Sequence, residues 1–216
     1  MIKPIHLAAA LLLAAAVPSA PAQAPGAATN AKASAQDQAD LARISAYLNS
    51  IRTMKAEFMQ VGPNSELDRG TVYVNKPGRM RFEYSKPSPY LIVSDGVSVA
   101  VGNSQLNTVD RYPLIENPLS IILDETINLA AEKGLTQIER KAGQISVTAE
   151  RANGDLKGKV TMIFADPALE LRQWVITDGQ GQQTLVALQN IQTSVTLNPE
   201  LFILKDVNKF ADPREQ

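Results

Sequence analysis

The chain has 216 residues, 21 Lys and Arg against 22 Asp and Glu, a formal net charge of −1, no Cys and one His. That mixed, near-neutral balance leaves no footprint for nucleic acid, and the lack of Cys excludes disulfides, thiolate nucleophiles and an N-terminal Cys that could carry a lipid. Because the one histidine is His6, the rest of the chain also lacks the usual zinc ligands and any Ser-His-Asp arrangement.

Lys3 and His6 form a short cationic start, residues 7–17 are an unbroken apolar run, and Ala20-Pro21-Ala22 fits a cleavage pattern. Residues 1–22 therefore read as a secretory signal. The run is too short to span a bilayer, which takes about 20 apolar residues, and no later segment approaches that length. A soluble, exported protein is expected, and loss of Lys3 takes its charge from −1 to −2. Residues 23–36 are small and polar with Pro and Gly, the composition of a flexible leader. The remainder, 37–216, is sized for one domain, since the chain beyond the signal is about 190 residues.

Leu41, Ile44, Tyr47, Leu48 and Ile51 recur at spacings of three and four. That stripe predicts a helix over 37–51, packed on the outside of a sheet. From Thr53 the period changes to two: Met54, Ala56, Phe58 and Gln60 share a face, and Val72 and Val74 alternate with Thr71 and Tyr73. Residues 70–96 are the most telling stretch. A Lys76-Pro77-Gly78 turn joins two strands there, with Met80, Phe82 and Tyr84 on one face and Arg79, Arg81 and Glu83 on the other. Short strands at 90–93, 97–101 and 105–109 follow, separated by Asp95-Gly96 and Gly102-Asn103 turn signals. A sheet with one apolar face needs a cover, either protein or a lipid ligand.

The meander breaks at Tyr112-Pro113. Asn117 as N-cap, Pro118 in the first turn and Gly134 as the stop predict a helix over 118–131. Its apolar face would carry Leu119, Ile122, Leu123, Ile127 and Ala130, and it must lie over the sheet. Strands resume at 135–141, 145–151, 159–164, 169–178 and 182–197. The last is expected to carry Leu185, Ala187, Gln189, Ile191, Thr193 and Val195 on one face, before a helical turn opened by Asn198-Pro199-Glu200. Eleven antiparallel strands in one sheet twist and curl. The expected fold class is α+β, mainly β: an unclosed antiparallel β-barrel of about eleven strands, an N-terminal helix and a mid-chain helical lid, enclosing a hydrophobic cavity.

Aromatics make up only 5% of the chain. Aliphatic side chains fill the apolar positions, which is compatible with an interior left partly empty for a flexible apolar ligand. No motif for phosphate, dinucleotide or metal is present. Asp206, Asp212 and Glu215 read as solvated tail charges. Ser85-Lys86 and Ser120 sit in no catalytic frame, and Arg79, Arg81 and Arg172 read as solubilising residues on strands. The expectation is a protein that is not an enzyme, with no metal and no cofactor.

Several segments in this order carry a resemblance: Phe58-Met59-Gln60, Gly70 through Tyr84 with its Pro-Gly turn before an Arg/aromatic strand, and Val93-Ser94-Asp95-Gly96. Asn117 through Leu123, and Asp178 with Gly181-Gln182-Gln183-Thr184, complete it. Over roughly residues 38–205 the chain resembles the periplasmic outer-membrane lipoprotein carrier family, LolA. The resemblance implies an open barrel under a lid and a soluble monomeric carrier in the periplasm. Such a carrier takes acylated lipoproteins from an inner-membrane ABC transporter and hands them to an outer-membrane receptor. It also implies a cavity lined by Phe58, Val72, Val74, Met80, Phe82 and Tyr84 of the strands and Leu119, Ile122 and Leu123 of the lid. Where family members carry an Arg that bonds to the lid, just before the turn proline, this chain has Lys76. A point charge replaces a planar fork of donors, which implies a looser lid contact here. Carriage of another envelope lipid, polyketide- or terpenoid-like, is the alternative; a stress sensor of this fold or a carboxylate-based hydrolase fits less well.

Overall fold

The computed structural model of the chain describes residues 34–132, 134–151 and 158–203. The expected signal, the leader up to residue 33, and Asp206, Asp212 and Glu215 lie outside the described residues. The N-terminal helix α1 (Ala35–Ser50) starts two residues earlier than expected, because Ser34 and Asp37 form a capping box. The Ser34 hydroxyl accepts from the Asp37 N–H, and the Asp37 carboxylate accepts from the Ser34 N–H, each at 3.0 Å. Leu41, Ile44 and Leu48 are buried along one stripe of α1, as the spacing predicts, and Ile51 is buried just past its end.

Eleven strands follow: β1 (Thr53–Val61), β2 (Leu67–Asn75), β3 (Arg79–Tyr84), β4 (Tyr90–Asp95), β5 (Ser98–Asn103) and β6 (Thr108–Pro113), then β7 (Leu135–Lys141), β8 (Gln144–Arg151), β9 (Gly158–Ala165), β10 (Glu170–Asp178) and β11 (Gln183–Thr193). They form one sheet in the order β6-β5-β4-β3-β2-β1-β11-β10-β9-β8-β7. Two meanders are thus joined where β1 pairs antiparallel with β11. β6 and β7 remain as edges, so the barrel is unclosed, as expected.

The hairpin turns follow from local chemistry. Gly78 takes a φ of 72°, and a side chain there would meet the Gly96 backbone at 2.7 Å. The Asp95 carboxylate accepts from the Val97 and Ser98 N–H groups, both at 2.8 Å. Asn103 does the same for Gln105 and Leu106 at 3.0 Å. This Asx-type turn explains why the sixth strand begins at Thr108 and not at the expected 105.

The β-bulges on β11 and β10 reset the inward face. On β11 the buried residues are Val186 and Leu188, the opposite parity to that expected for 185–195. The register shifts between Lys55 and Glu57 on the partner strand, and Asn190 adopts a φ of 51°. The extra residue switches parity, so Ile191 again packs against the core. On β10 a second shift between Leu171 and Gln173 places both Leu171 and Trp174 inward.

Curl is visible in one contact. Phe82 on β3 and Trp174 on β10 are four strand spacings apart, about 19 Å on a flat sheet, yet their rings meet edge to face at 6.2 Å. The inner face is curled over on itself while the edges stay apart.

The mid-chain segment departs from the expected helix over 118–131. It contains a 3₁₀ turn at Leu114–Glu116 and one four-residue helix, α2 (Ser120–Leu123). Asn117 does act as a local cap, accepting from the Leu119 N–H at 2.9 Å. Beyond α2, Ile127 and Leu129 are buried while Thr126, Asn128 and Ala130 are exposed, an alternation of period two. Thr and Asn are weak helix formers, and the Ile127 and Leu129 backbone groups find partners on α1, leaving only short turn bonds at Ala131 and Glu132.

Candidate functional site

The candidate site is the inner face of the curled sheet beneath α1 and the mid-chain segment. An apolar cleft there is lined by Leu48 from α1 and Ile51 just past its end, Met54, Val74, Met80, Leu171 and Trp174 from the strands, and Ile122 and Leu123 from the lid, with Lys76 the one charged member. Its cavity measures about 30 Å³. That holds a water or two and is about a tenth of the smallest ordinary ligand pocket, about 300 Å³. The expectation of a partly empty interior is corrected accordingly: in this arrangement the lid's own side chains occupy the hollow.

Of the residues predicted at the site, Val74, Met80, Ile122 and Leu123 line this cleft. Val72, Phe58, Phe82 and Leu119 are buried in the surrounding core. Phe58 meets Phe82 at 5.0 Å and Tyr84 at 5.1 Å, both edge to face. The half-buried Tyr84 hydroxyl donates to the Gln60 side-chain carbonyl at 2.8 Å; burial pushes this phenol up to about 12. Leu48, Ile51, Met54, Leu171 and Trp174 complete the lining although the sequence reading named none of them as site residues.

The lid is held by a ladder of side chains on α1. Ser45, Asn49 and the following Arg52 lie four and three residues apart, one edge of a helical surface. The Ser45 hydroxyl accepts from the Leu129 N–H at 3.0 Å while donating to the Leu41 carbonyl. Asn49 donates to the Ile127 carbonyl and accepts from the Ile127 N–H, both at 2.8 Å. Arg52 donates to the Glu125 carbonyl at 3.2 Å. On the other side, the Gly78 N–H donates to the Leu123 carbonyl at 2.9 Å.

Lys76 stands between these two attachments. Its ammonium donates to the Leu48 carbonyl at 2.8 Å, so its hydrogen bond goes to the C-terminal turn of α1, where a cation is favoured. Burial, aided by the Arg52 charge and opposed by Asp124, pulls this ammonium down from 10.5 to about 8. Between those values the unfolded chain binds more protons here than the folded one, so stability at this site rises with pH across the window. The melting temperature of the wild type relative to Lys76→Met is therefore expected to climb between pH 8 and 10. A difference that stays flat over that range would show the amine to be fully hydrated.

Among the described residues no group of three or more His, Asp or Glu is placed to hold a metal ion. A separate charge cluster ties α1 to the second meander. Asp40 pairs with Arg43 at 3.0 Å and with Arg140 at 2.6 Å, Arg140 reaches Asp37 at 2.7 Å, and Arg43 reaches Asp166 at 2.9 Å. Although burial alone would raise it, hydrogen bonds from Gln36 and Arg140 hold the Asp40 carboxyl below its usual range. This cluster fixes the helix over the sheet. Wider hollows of about 390 and 460 Å³ are lined largely by polar side chains, among them Glu57, Arg69 and Thr71 in one and Glu139, Thr148 and Lys159 in the other. Neither offers an acyl chain a dry surface.

The sequence profile of the outer membrane lipoprotein carrier protein LolA matches residues 49–205. An outer-membrane lipoprotein carrier protein of Methylococcus capsulatus is 26% identical over 170 residues, covering 74% of this chain and 80% of its own. Another from Dechloromonas aromatica is 28% identical over 165 residues, with 72% and 78% covered. Among solved structures, a LolA superfamily protein from Nitrosomonas europaea aligns with a TM-score of 0.42 at 10% identity, over 76% of this chain and 97% of that one.

Proposed function

The chain belongs to the outer membrane lipoprotein carrier (LolA) family, and from that premise we propose that it is a periplasmic shuttle that takes lipoprotein acyl chains into the cleft beneath its lid. The observation that carries this reading is the lid's construction. Its apolar side chains fill the hollow, but its backbone is fastened by Ser45 and Asn49 of α1, the following Arg52 and a single bond from the Gly78 N–H, and not by a strand ladder. Swinging it aside leaves the eleven-strand sheet intact.

An acyl chain entering the cleft replaces Ile122 and Leu123 as the cover of Met54, Val74, Met80 and Trp174. The exchange is apolar for apolar, so the protein loses little, while the cargo hides about 0.8 kcal/mol per methylene from water. Cargo is received from an inner-membrane ABC transporter and passed to an outer-membrane receptor. The cleft binds and does no chemistry. Residues 1–22 are the export signal, and the functional domain follows the leader.

The test is to express the full chain with its own signal, purify it from the periplasm and extract its ligand for mass spectrometry. Acylated lipoprotein peptides are expected as the dominant species, on a protein whose N-terminus is Gln23. A polyketide- or terpenoid-like lipid in their place would overturn the cargo assignment.

A further inference from the structure

Trp174 is the only tryptophan of the chain. It sits on β10 opposite Met162 and Val186, is 1% exposed, and its indole Nε1–H is buried with no hydrogen-bond partner among the described residues. Its ring lines the apolar cleft, in which Lys76 is the one charged residue. A buried donor left unpaired is costly, and native structures seldom keep one without a use. The neighbours that fix this ring, Phe82 edge to face at 6.2 Å and the aliphatic lining of the cleft, present no acceptor to it. A phenylalanine would supply the same ring edge without the cost.

A residue in the wall of the cleft thus carries an unpaired, dry hydrogen-bond donor, which cargo would reach on displacing the side chains packed over it. A pure hydrocarbon would leave it orphaned, whereas one carbonyl oxygen would satisfy it. Lys76 adds positive charge beside the same space, which also favours an oxygen with partial negative charge. We infer that the Trp174 Nε1–H donates to an acyl carbonyl of the cargo, so that the cleft selects ester- or amide-linked acyl chains over hydrocarbon or ether-linked ones. This deepens the carrier reading above and rests on it: it adds a carbonyl-reading residue to a site otherwise specified by apolar area.

The test uses the full exported protein with two synthetic lipopeptides of equal chain length, one bearing two ester-linked acyl chains on a glyceryl thioether, the other bearing the corresponding ether-linked chains. The wild type is expected to bind the ester about tenfold more tightly, and Trp174→Phe, which keeps a ring, to bind the two alike. A second readout needs no variant. With ¹⁵N labelling the single indole N–H gives one cross-peak, expected to move downfield with the ester ligand and not with the ether. If the ester and the ether bind equally and leave that peak in the same place, the carbonyl donor is wrong and the carrier reading stands. If neither lipopeptide binds, the carrier reading fails with it.

Discussion

Met80→Glu is expected to yield a folded protein whose affinity for an acylated peptide or a fluorescent fatty acid falls more than about a hundredfold. Met80 is 3% exposed on β3, paired with Val74 on one side and Ser94 on the other. Its side chain shares the cleft with the Lys76 ammonium. A carboxylate placed there loses several kcal/mol of hydration, but an ion pair near 4 Å recovers about 4 kcal/mol at an effective dielectric of about 20. The fold survives because the new charge finds a partner already in place. An acyl chain would not, since it would have to lie against a charge pair in a cleft otherwise lined by apolar side chains. Phe82→Glu provides the contrast. Its surroundings are the rings of Phe58, Tyr84 and Trp174, so its cost falls mainly on stability and the melting temperature drops. Fluorescence displacement and circular dichroism read the two effects separately. Full ligand binding by a folded Met80→Glu would remove the cleft from the mechanism.

How much of this was legible in the sequence depends on how far each interaction reaches. Period-two patterns around Met54–Phe58, Val72–Val74 and Met80–Tyr84 predict inward positions that are buried or half-buried in the structure, because alternation across a pleat is a local property. Turns at Lys76-Pro77-Gly78 and Asp95-Gly96 are legible for the same reason. The capping box at Ser34 and Asp37 was also within reach, three residues apart in a recognised pattern, but the small, polar neighbours concealed it as part of a leader.

What escaped is set by tertiary partners. The bulges at Asn190 and between Leu171 and Gln173 shift parity midway along a strand, so a strict alternation misassigns β11 and cannot single out Trp174. The segment over 124–132 has end signals and an apolar spacing that suit a helix, yet its backbone bonds to Asn49 and Ser45, 78 and 84 residues away in sequence. Arg140 and Asp40 are separated by 100 positions. No window of neighbouring residues contains that information. The interior escapes a local reading for a related reason: few aromatics do not make a void when Ile122 and Leu123 of a lid can fill it.

Removing the amide of Asn49 is expected to release the lid selectively. In Asn49→Ala both polar groups of Ile127 lose their partner at once, the carbonyl and the N–H each at 2.8 Å. An unpaired buried group costs about 1–3 kcal/mol; because Asn49 is only half-buried, water recovers part of this, leaving about 2 kcal/mol for the pair. That is about a thirtyfold rise in the open population, confined to the lid because the β1–β11 and β1–β2 ladders do not involve Asn49. Amide hydrogen exchange over 125–131 should accelerate by that factor while exchange in the strands is unchanged. Uptake of a fluorescent acyl ligand should accelerate with it if opening limits entry. Arg52→Ala, which removes a single exposed hydrogen bond to the Glu125 carbonyl at 3.2 Å, should change either rate by less than about threefold. The pair separates a latch from a general loss of packing. If Asn49→Ala lowers protection throughout the sheet as well, α1 and the lid open as one unit and the cover is part of the core; if protection changes nowhere, the ladder on α1 does not hold the lid.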